Sequence, residues 1–206
     1  MRKAAVRCYP SGVSDALPSA LPRHLETVFL DRDGVLNEKM PEGEYVRSVL
    51  DLRVLPGVPE AIARLNRAGM RTIVVTNQRG MALGLYSAGD LDAIHAELQK
   101  TFAAQGGHID GFFHCPHNNH ECDCRKPLTG LFHQAVAQFP GIDLATSVMI
   151  GDSLSDVEFG RRLGMLTVFV EGDSEDGRPG SAQASETADL RFRSLPEAVD
   201  ALLAGN

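Results

Sequence analysis

The sequence predicts an open α/β fold, a three-layer, Rossmann-like parallel sheet with helices on both faces, and three observations predict it. Short runs rich in β-branched and aromatic residues alternate with amphipathic segments of about ten residues, as repeated strand–helix–strand units do. Those runs are apolar nearly throughout, the signature of strands buried on both faces. Their carboxyl ends carry Asp31, Thr76, Cys115 and Asp152, and a parallel sheet gathers such ends along one edge, where ligands bind.

Taken in order, residues 1–24 hold three of the eleven prolines among serines and alanines, without a sustained period, and read as a loosely packed tail ahead of one domain over 25–206. Thr27-Val28-Phe29-Leu30 is a buried strand that ends abruptly in Asp31-Arg32-Asp33-Gly34, two acids one residue apart before a turn. Residues 35–56, with Pro41, Gly43, Pro56 and Gly57 nearby, are long enough for a loop flap over the strand ends that carries Glu44, Tyr45 and Arg47. Val58, Ile62, Leu65 and Ala68 keep a helical period that Gly69 stops. Arg71–Asn77 is a second strand, Gly80–Gly89 a glycine-rich loop, and Leu91–Ala104 a helix with Ile94, Leu98 and Phe102 in register. A strand over Ile109–Cys115 leads into a cysteine cluster, and Gly130–Phe139 is helical. Ser147–Gly151 is a strand ending at Asp152, followed by helix over Val157–Leu163 and strand over Leu166–Val170. Glu171–Thr187, rich in Gly, Ser, Asp and Glu, is expected to be a mobile loop, and Ala188–Phe192 and Pro196–Leu203 close the chain as strand and helix.

Bulk properties exclude several classes. A net charge of −7 over 206 residues argues against nucleic acid, whose backbone needs a basic surface, yet leaves room for a small phosphorylated substrate gripped by a few local cations. No apolar run approaches the ~20 residues that span a bilayer, and Met1-Arg2-Lys3 precedes no apolar signal core. A cytoplasmic monomer without membrane or nucleic-acid partners is expected. Three of the four cysteines fall within ten residues, a poor disulfide framework but a fitting metal cluster in a reducing compartment.

Asp-x-Asp-Gly at a strand end suits phosphoryl chemistry: one carboxylate attacks phosphorus while the other, carried past the turn at Gly34, protonates the leaving oxygen. Asp152 could join Asp31 around Mg²⁺, which favours one or two carboxylates with phosphate oxygens and water, or it could cap the helix that follows. Asp156 could support the metal from behind. The Thr76 hydroxyl and nearby amides could hold phosphoryl oxygens where charge builds up. Cys115, His117, Cys122 and Cys124 match a closed Cys₃His zinc site within the loop 115–124, which leaves no position for water and therefore serves structure. His114 and His120 are rival imidazoles, and His117 is preferred because its spacing from Cys115 mirrors that of Cys122 from Cys124. Such a loop would hold Arg125 and Lys126 rigidly, Lys126 against the charge at Asp31 and Arg125 toward a more distant oxyanion. His24, His95, His108 and His133 show no ligand spacing.

Together, Asp31-Arg32-Asp33-Gly34, Thr76-Asn77-Gln78, Cys115-Pro116-His117, Cys122-Asp123-Cys124-Arg125-Lys126-Pro127 and Gly151-Asp152 resemble the haloacid dehalogenase-like phosphatases of subfamily IIIA, in the zinc-bearing branch that contains D-glycero-D-manno-heptose-1,7-bisphosphate phosphatase and histidinol-phosphatase. The resemblance implies Asp31 as nucleophile and Asp33 as general acid and then base, with an aspartyl-phosphate between the two steps. It implies Mg²⁺ on Asp31, the Asp33 carbonyl and Asp152, phosphoryl stabilisation by Thr76 and Lys126, substrate contacts from Asn77, Gln78, Arg125 and Lys126, structural Zn²⁺ and a minimal loop cap. Hydrolysis of the 7-phosphate of a heptose bisphosphate is the activity expected from it, with histidinol phosphate as the alternative. Four residues between His117 and Cys122, Ser153 in place of a common lysine, and a Gly80–Gly84 loop without arginine lean toward the alternative, whereas Gly43-Glu44-Tyr45-Val46 and Gln78-Arg79-Gly80 look like the heptose group. A non-catalytic zinc-stabilised binding module is the expectation from another class.

Overall fold

Thr27–Leu30 forms β1, and all four positions are buried because a branched or aromatic side chain meets a helix layer on either side. In the computed structural model, which describes residues 24–172 and 180–205, five further strands follow: β2 Arg71–Asn77, β3 Gly111–Cys115, β4 Ser147–Gly151, β5 Leu166–Val170 and β6 Leu190–Phe192. They pair in the order β3-β2-β1-β4-β5-β6, and every pairing is parallel. The order reverses between β1 and β4, so the loops leaving these two strands part in opposite directions and open a crevice.

Among the described residues, six α-helices cover the sheet: α1 Val58–Arg67, α2 Ala88–Ala103, α3 Gly130–Gln138, α4 Leu154–Leu163, α5 Ser181–Thr187 and α6 Leu195–Ala204. Alternation along each strand divides the core. Val28, Leu30 and Val74 pack with Ile62 and Leu65 of α1, Leu98 of α2 and Val199 of α6. Phe29, Ile73 and Val75 pack on the other face with Leu131 and Phe132 of α3 and Phe159 of α4. The three layers follow from this division.

Several boundaries differ from expectation, each for a local reason. α2 starts at Ala88 because Ser87 and Asp90 form a capping box ahead of it. α4 starts at Leu154 because Ser153 caps it through Asp156, so the cap expected of Asp152 falls one residue later. The stretch expected to be a mobile loop holds α5, anchored by Ala184 against Val157 and Phe169, while residues 173–179 lie outside the described residues. So do residues 1–23 of the expected tail. The flap is loop, as expected, and is tied down at its base: Gly34 N–H donates to Asn37 O, Glu38 N–H to Arg53 O and Leu55 N–H to Leu36 O, with Val46 and Leu52 turned into the core.

Candidate functional site

The acids converge at the strand-order reversal. Leu30 is in register with Ile150, and Asp31 N–H donates to Ile150 O, so the chain ends of β1 and β4 deliver Asp31 and Asp152 side by side. Asp31, Asp152 and Asp156 each bring a carboxylate oxygen within 4.8 Å of the others, and all three are buried. Lys126 reaches into this cluster with its ammonium 2.9 Å from Asp31 Oδ1 and 2.6 Å from Asp156 Oδ1, and donates to Val75 O at 2.6 Å. Two glycines make the crowding possible. A Cβ on Gly34, where φ is +94°, would stand 2.2 Å from Asp152 Oδ2, and one on Gly151 would stand 2.2 Å from Asp156 Cβ.

Burial pushes the Asp31 carboxyl up to about 7, with Asp156 and Asp152 adding to the rise and Lys126 opposing it. Lys126 behaves conversely: burial disfavours its charge, but Asp156 and Asp31 outweigh burial and raise its pKa. Three carboxylates sharing one such space are short of positive charge, and hard oxygens at this separation fit a divalent cation. A cation beside Asp31 would also hold that carboxyl ionised, the form a nucleophile needs.

Asp33 lies on the other side of the turn in a different environment. Arg32, almost completely buried, donates through Nη2 to both Asp33 oxygens at 2.8 and 2.9 Å, Asn37 Nδ2 donates at 2.9 Å and Gln78 Nε2 at 3.0 Å. Burial pushes its carboxyl up, but the Arg32 charge and the hydrogen bonds from Asn37, Arg32 and Gln78 outweigh that and hold it below the usual range. Gln78 also donates to Thr76 Oγ1 at 2.8 Å and accepts from the Tyr86 hydroxyl at 2.6 Å. Asn77 bonds the backbone of Lys126 twice, donating to its carbonyl at 3.0 Å and accepting from its N–H at 2.9 Å. Within the protein, then, these two amides position Asp33 and Lys126.

The loop after β3 cinches where expected. Cys115 Sγ lies 3.5 Å from Cys122 Sγ and 3.7 Å from His117 Nδ1, and His117 Nδ1 lies 3.3 Å from Cys124 Sγ. A tetrahedral zinc with Zn–S of ~2.3 Å and Zn–N of ~2.0 Å has ligand edges of roughly 3.5–3.8 Å, so the four atoms already stand close to that spacing. His117, not His114 or His120, is the imidazole grouped with the three cysteines. Arg79 Nε donates to Asn118 Oδ1 at 2.7 Å, tying the glycine-rich loop to this one. Two residues after Cys124, Lys126 reaches the acids, and Arg125 lines a cavity of about 370 Å³ together with Asp31, Lys39, Tyr45 and Asn77.

A HAD-hydrolase-like family model matches residues 123–198. The D-glycero-alpha-D-manno-heptose-1,7-bisphosphate 7-phosphatase of Mycobacterium tuberculosis is 38% identical over 84% of this chain and 90% of its own. This chain belongs to the heptose-bisphosphate phosphatase family of HAD-like hydrolases. A further relative of the phosphatase, the D-glycero-beta-D-manno-heptose-1,7-bisphosphate 7-phosphatase of Pseudomonas aeruginosa, is 39% identical over 70% of this chain and 80% of its own. Among solved structures, the D,D-heptose 1,7-bisphosphate phosphatase of B. bronchiseptica, complexed with magnesium and phosphate, superposes with a TM-score of 0.77 at 31% identity, covering 88% of this chain and all of that one.

Two cations of the phosphatase's site escaped the sequence reading. Arg32 was visible only as a charge between two acids, and nothing local signals that its guanidinium is buried. Lys39 sits in the flap, where a polar residue is unremarkable, yet its ammonium contacts both oxygens of Asp152. Among the described residues, no helix is long and apolar enough to cross a membrane.

Proposed function

We propose that the phosphatase removes the 7-phosphate of a D-glycero-D-manno-heptose 1,7-bisphosphate through an aspartyl-phosphate on Asp31. The observation that carries this reading is the meeting of Asp31, Asp152, Asp156 and Lys126, residues up to 125 positions apart, at one crevice open to the cavity. In the first step Asp31 attacks phosphorus, the bond to the sugar oxygen breaks, and Asp33 gives a proton to the departing alkoxide. In the second, Asp33 takes a proton from water as that water attacks the same phosphorus, which frees inorganic phosphate and restores the Asp31 carboxylate. Asp31, Asp152 and the Asp33 carbonyl would hold Mg²⁺, which when bound supplies positive charge to phosphoryl oxygens. Thr76 and Lys126 face the transferring group. The proton that Asp33 takes from water in the second step is the one it gives in the next first step, and the contacts with Arg32, Asn37 and Gln78 that hold its carboxyl below the usual range favour that release.

Arg125 supports a doubly phosphorylated substrate. Among the described residues its Nη1 is buried without a hydrogen-bond partner while the residue lines the cavity, so an anionic group at the far end of the substrate would satisfy it. The named activities of the M. tuberculosis, P. aeruginosa and B. bronchiseptica proteins agree. Zn²⁺ on Cys115, His117, Cys122 and Cys124 would keep Arg125 and Lys126 in place, and the reduced thiolates this needs fit the cytoplasm.

Phosphate release should be measured with Mg²⁺ on heptose 1,7-bisphosphate and on histidinol phosphate. Preference for the bisphosphate, abolished by Asp31→Asn, is expected. Preference for histidinol phosphate would overturn the substrate, and full activity in Asp31→Asn would overturn the mechanism.

A further inference from the structure

Lys39 occupies an unusual place for a flap residue. Its ammonium stands 2.7 and 2.9 Å from the two oxygens of Asp152, whose side chain is completely buried, whereas about a third of the Lys39 side chain remains accessible from the cavity side. Its pKa is raised despite burial because Asp152, Asp31 and Asp156 all face it. Lys39 thus covers the acid that the Mg²⁺ reading above assigns to the metal.

We propose that Lys39 is a tethered counter-cation that competes with the divalent cation for Asp152, holding the acidic cluster together until the metal arrives and then yielding to it. The proposal rests on the metal reading. Charge supplies the first argument. Asp31, Asp152 and Asp156 crowd three acidic groups against the ammoniums of Lys126 and Lys39. A dication and the Lys39 ammonium both draw on the Asp152 oxygens, and seating the two side by side in a buried space sets like charges against each other. The second argument is mechanical. The ammonium is a compact, strongly hydrated charge on four flexible methylenes, so leaving Asp152 takes a change of rotamer and no movement of the sheet. Once displaced, it remains in a cavity that also holds Arg125 and Tyr45, where a substrate phosphate can receive it.

Calorimetric titration with MgCl₂ tests this on full-length protein dialysed into magnesium-free buffer, comparing wild type with Lys39→Met and Lys39→Gln. Removing the competitor should tighten Mg²⁺ binding by at least about threefold in both variants. The same variants should melt below wild type without Mg²⁺, and that gap should narrow in saturating Mg²⁺, since Lys39 stabilises only the metal-free state. Variants that bind Mg²⁺ less than threefold more tightly than wild type overturn the proposal alone. Wild-type protein that binds no Mg²⁺ removes the metal reading and the proposal with it.

Discussion

Substituting Gly34 by alanine probes how tightly the acids are packed. The new Cβ would lie 2.2 Å from Asp152 Oδ2 and 2.6 Å from Asp152 Cγ, far inside contact distance. Backbone at φ +94° adds a steric cost of ~1–2 kcal/mol for any residue with a Cβ. Relieving the overlap adds ~1–3 kcal/mol as overpacking, because Asp152 is walled in by β4 and α4 and cannot retreat freely. The sum is a destabilisation of about 2–5 kcal/mol. Gly69→Ala is the control: φ there is +80°, but nothing lies within 4 Å of the added atom, so only the backbone cost of ~1–2 kcal/mol applies. Urea unfolding of both variants in the absence of Mg²⁺ measures the difference, and Mg²⁺ titration of Gly34→Ala should show binding weakened as Asp152 is pushed aside. Equal destabilisation of the two variants, or unchanged Mg²⁺ affinity in Gly34→Ala, would refute the claim that Gly34 exists to admit Asp152.

Other consequences follow from the same geometry. Asp31→Asn should lower turnover of p-nitrophenyl phosphate by about 10⁴-fold or more while leaving the zinc content unchanged, since the amide cannot attack phosphorus and the cysteine loop lies on another strand; substantial residual turnover would point to a different nucleophile. Wild-type protein should carry ~1 equivalent of zinc, and Cys124→Ala should lose it and melt at a lower temperature; retention of metal by the variant in elemental analysis would overturn the ligand set. His95 is stacked on Phe112 with ring centroids 4.4 Å apart, and burial, aided by Arg32 and His114, pushes its pKa down to about 3. The unfolded chain binds a proton there below about 6.5 and the folded one does not, so this residue costs stability as pH falls from 6.5 toward 3. His95→Phe should therefore lose less stability than wild type between pH 7 and 4.5, by about 2 kcal/mol from denaturant midpoints, and equal losses would show that His95 is not held neutral.

Much of the site was legible because its signals are local. Asp31 and Asp152 each end an apolar run, and a parallel sheet has one edge for such ends. The cysteine spacing describes a closed loop whatever surrounds it. Where the reading stopped, the missing information was a side-chain direction. Asn77 and Gln78 were expected at the substrate, yet their amides bond Lys126, Asp33 and Thr76. Asp152 was the cap that the sequence offered, and the capping box forms instead at Ser153, whose backbone N–H donates to Asp156.

From sequence alone come the layered parallel fold, the acids at the strand ends and the Cys₃His loop, since each depends on periodicity or spacing between near neighbours. Tertiary structure decided the strand order that sets β1 against β4, and with it the contacts of Lys126, Arg32 and Lys39. Long cationic side chains have many rotamers of similar energy, and the partner that selects one lies far along the chain, brought near only when the sheet has closed.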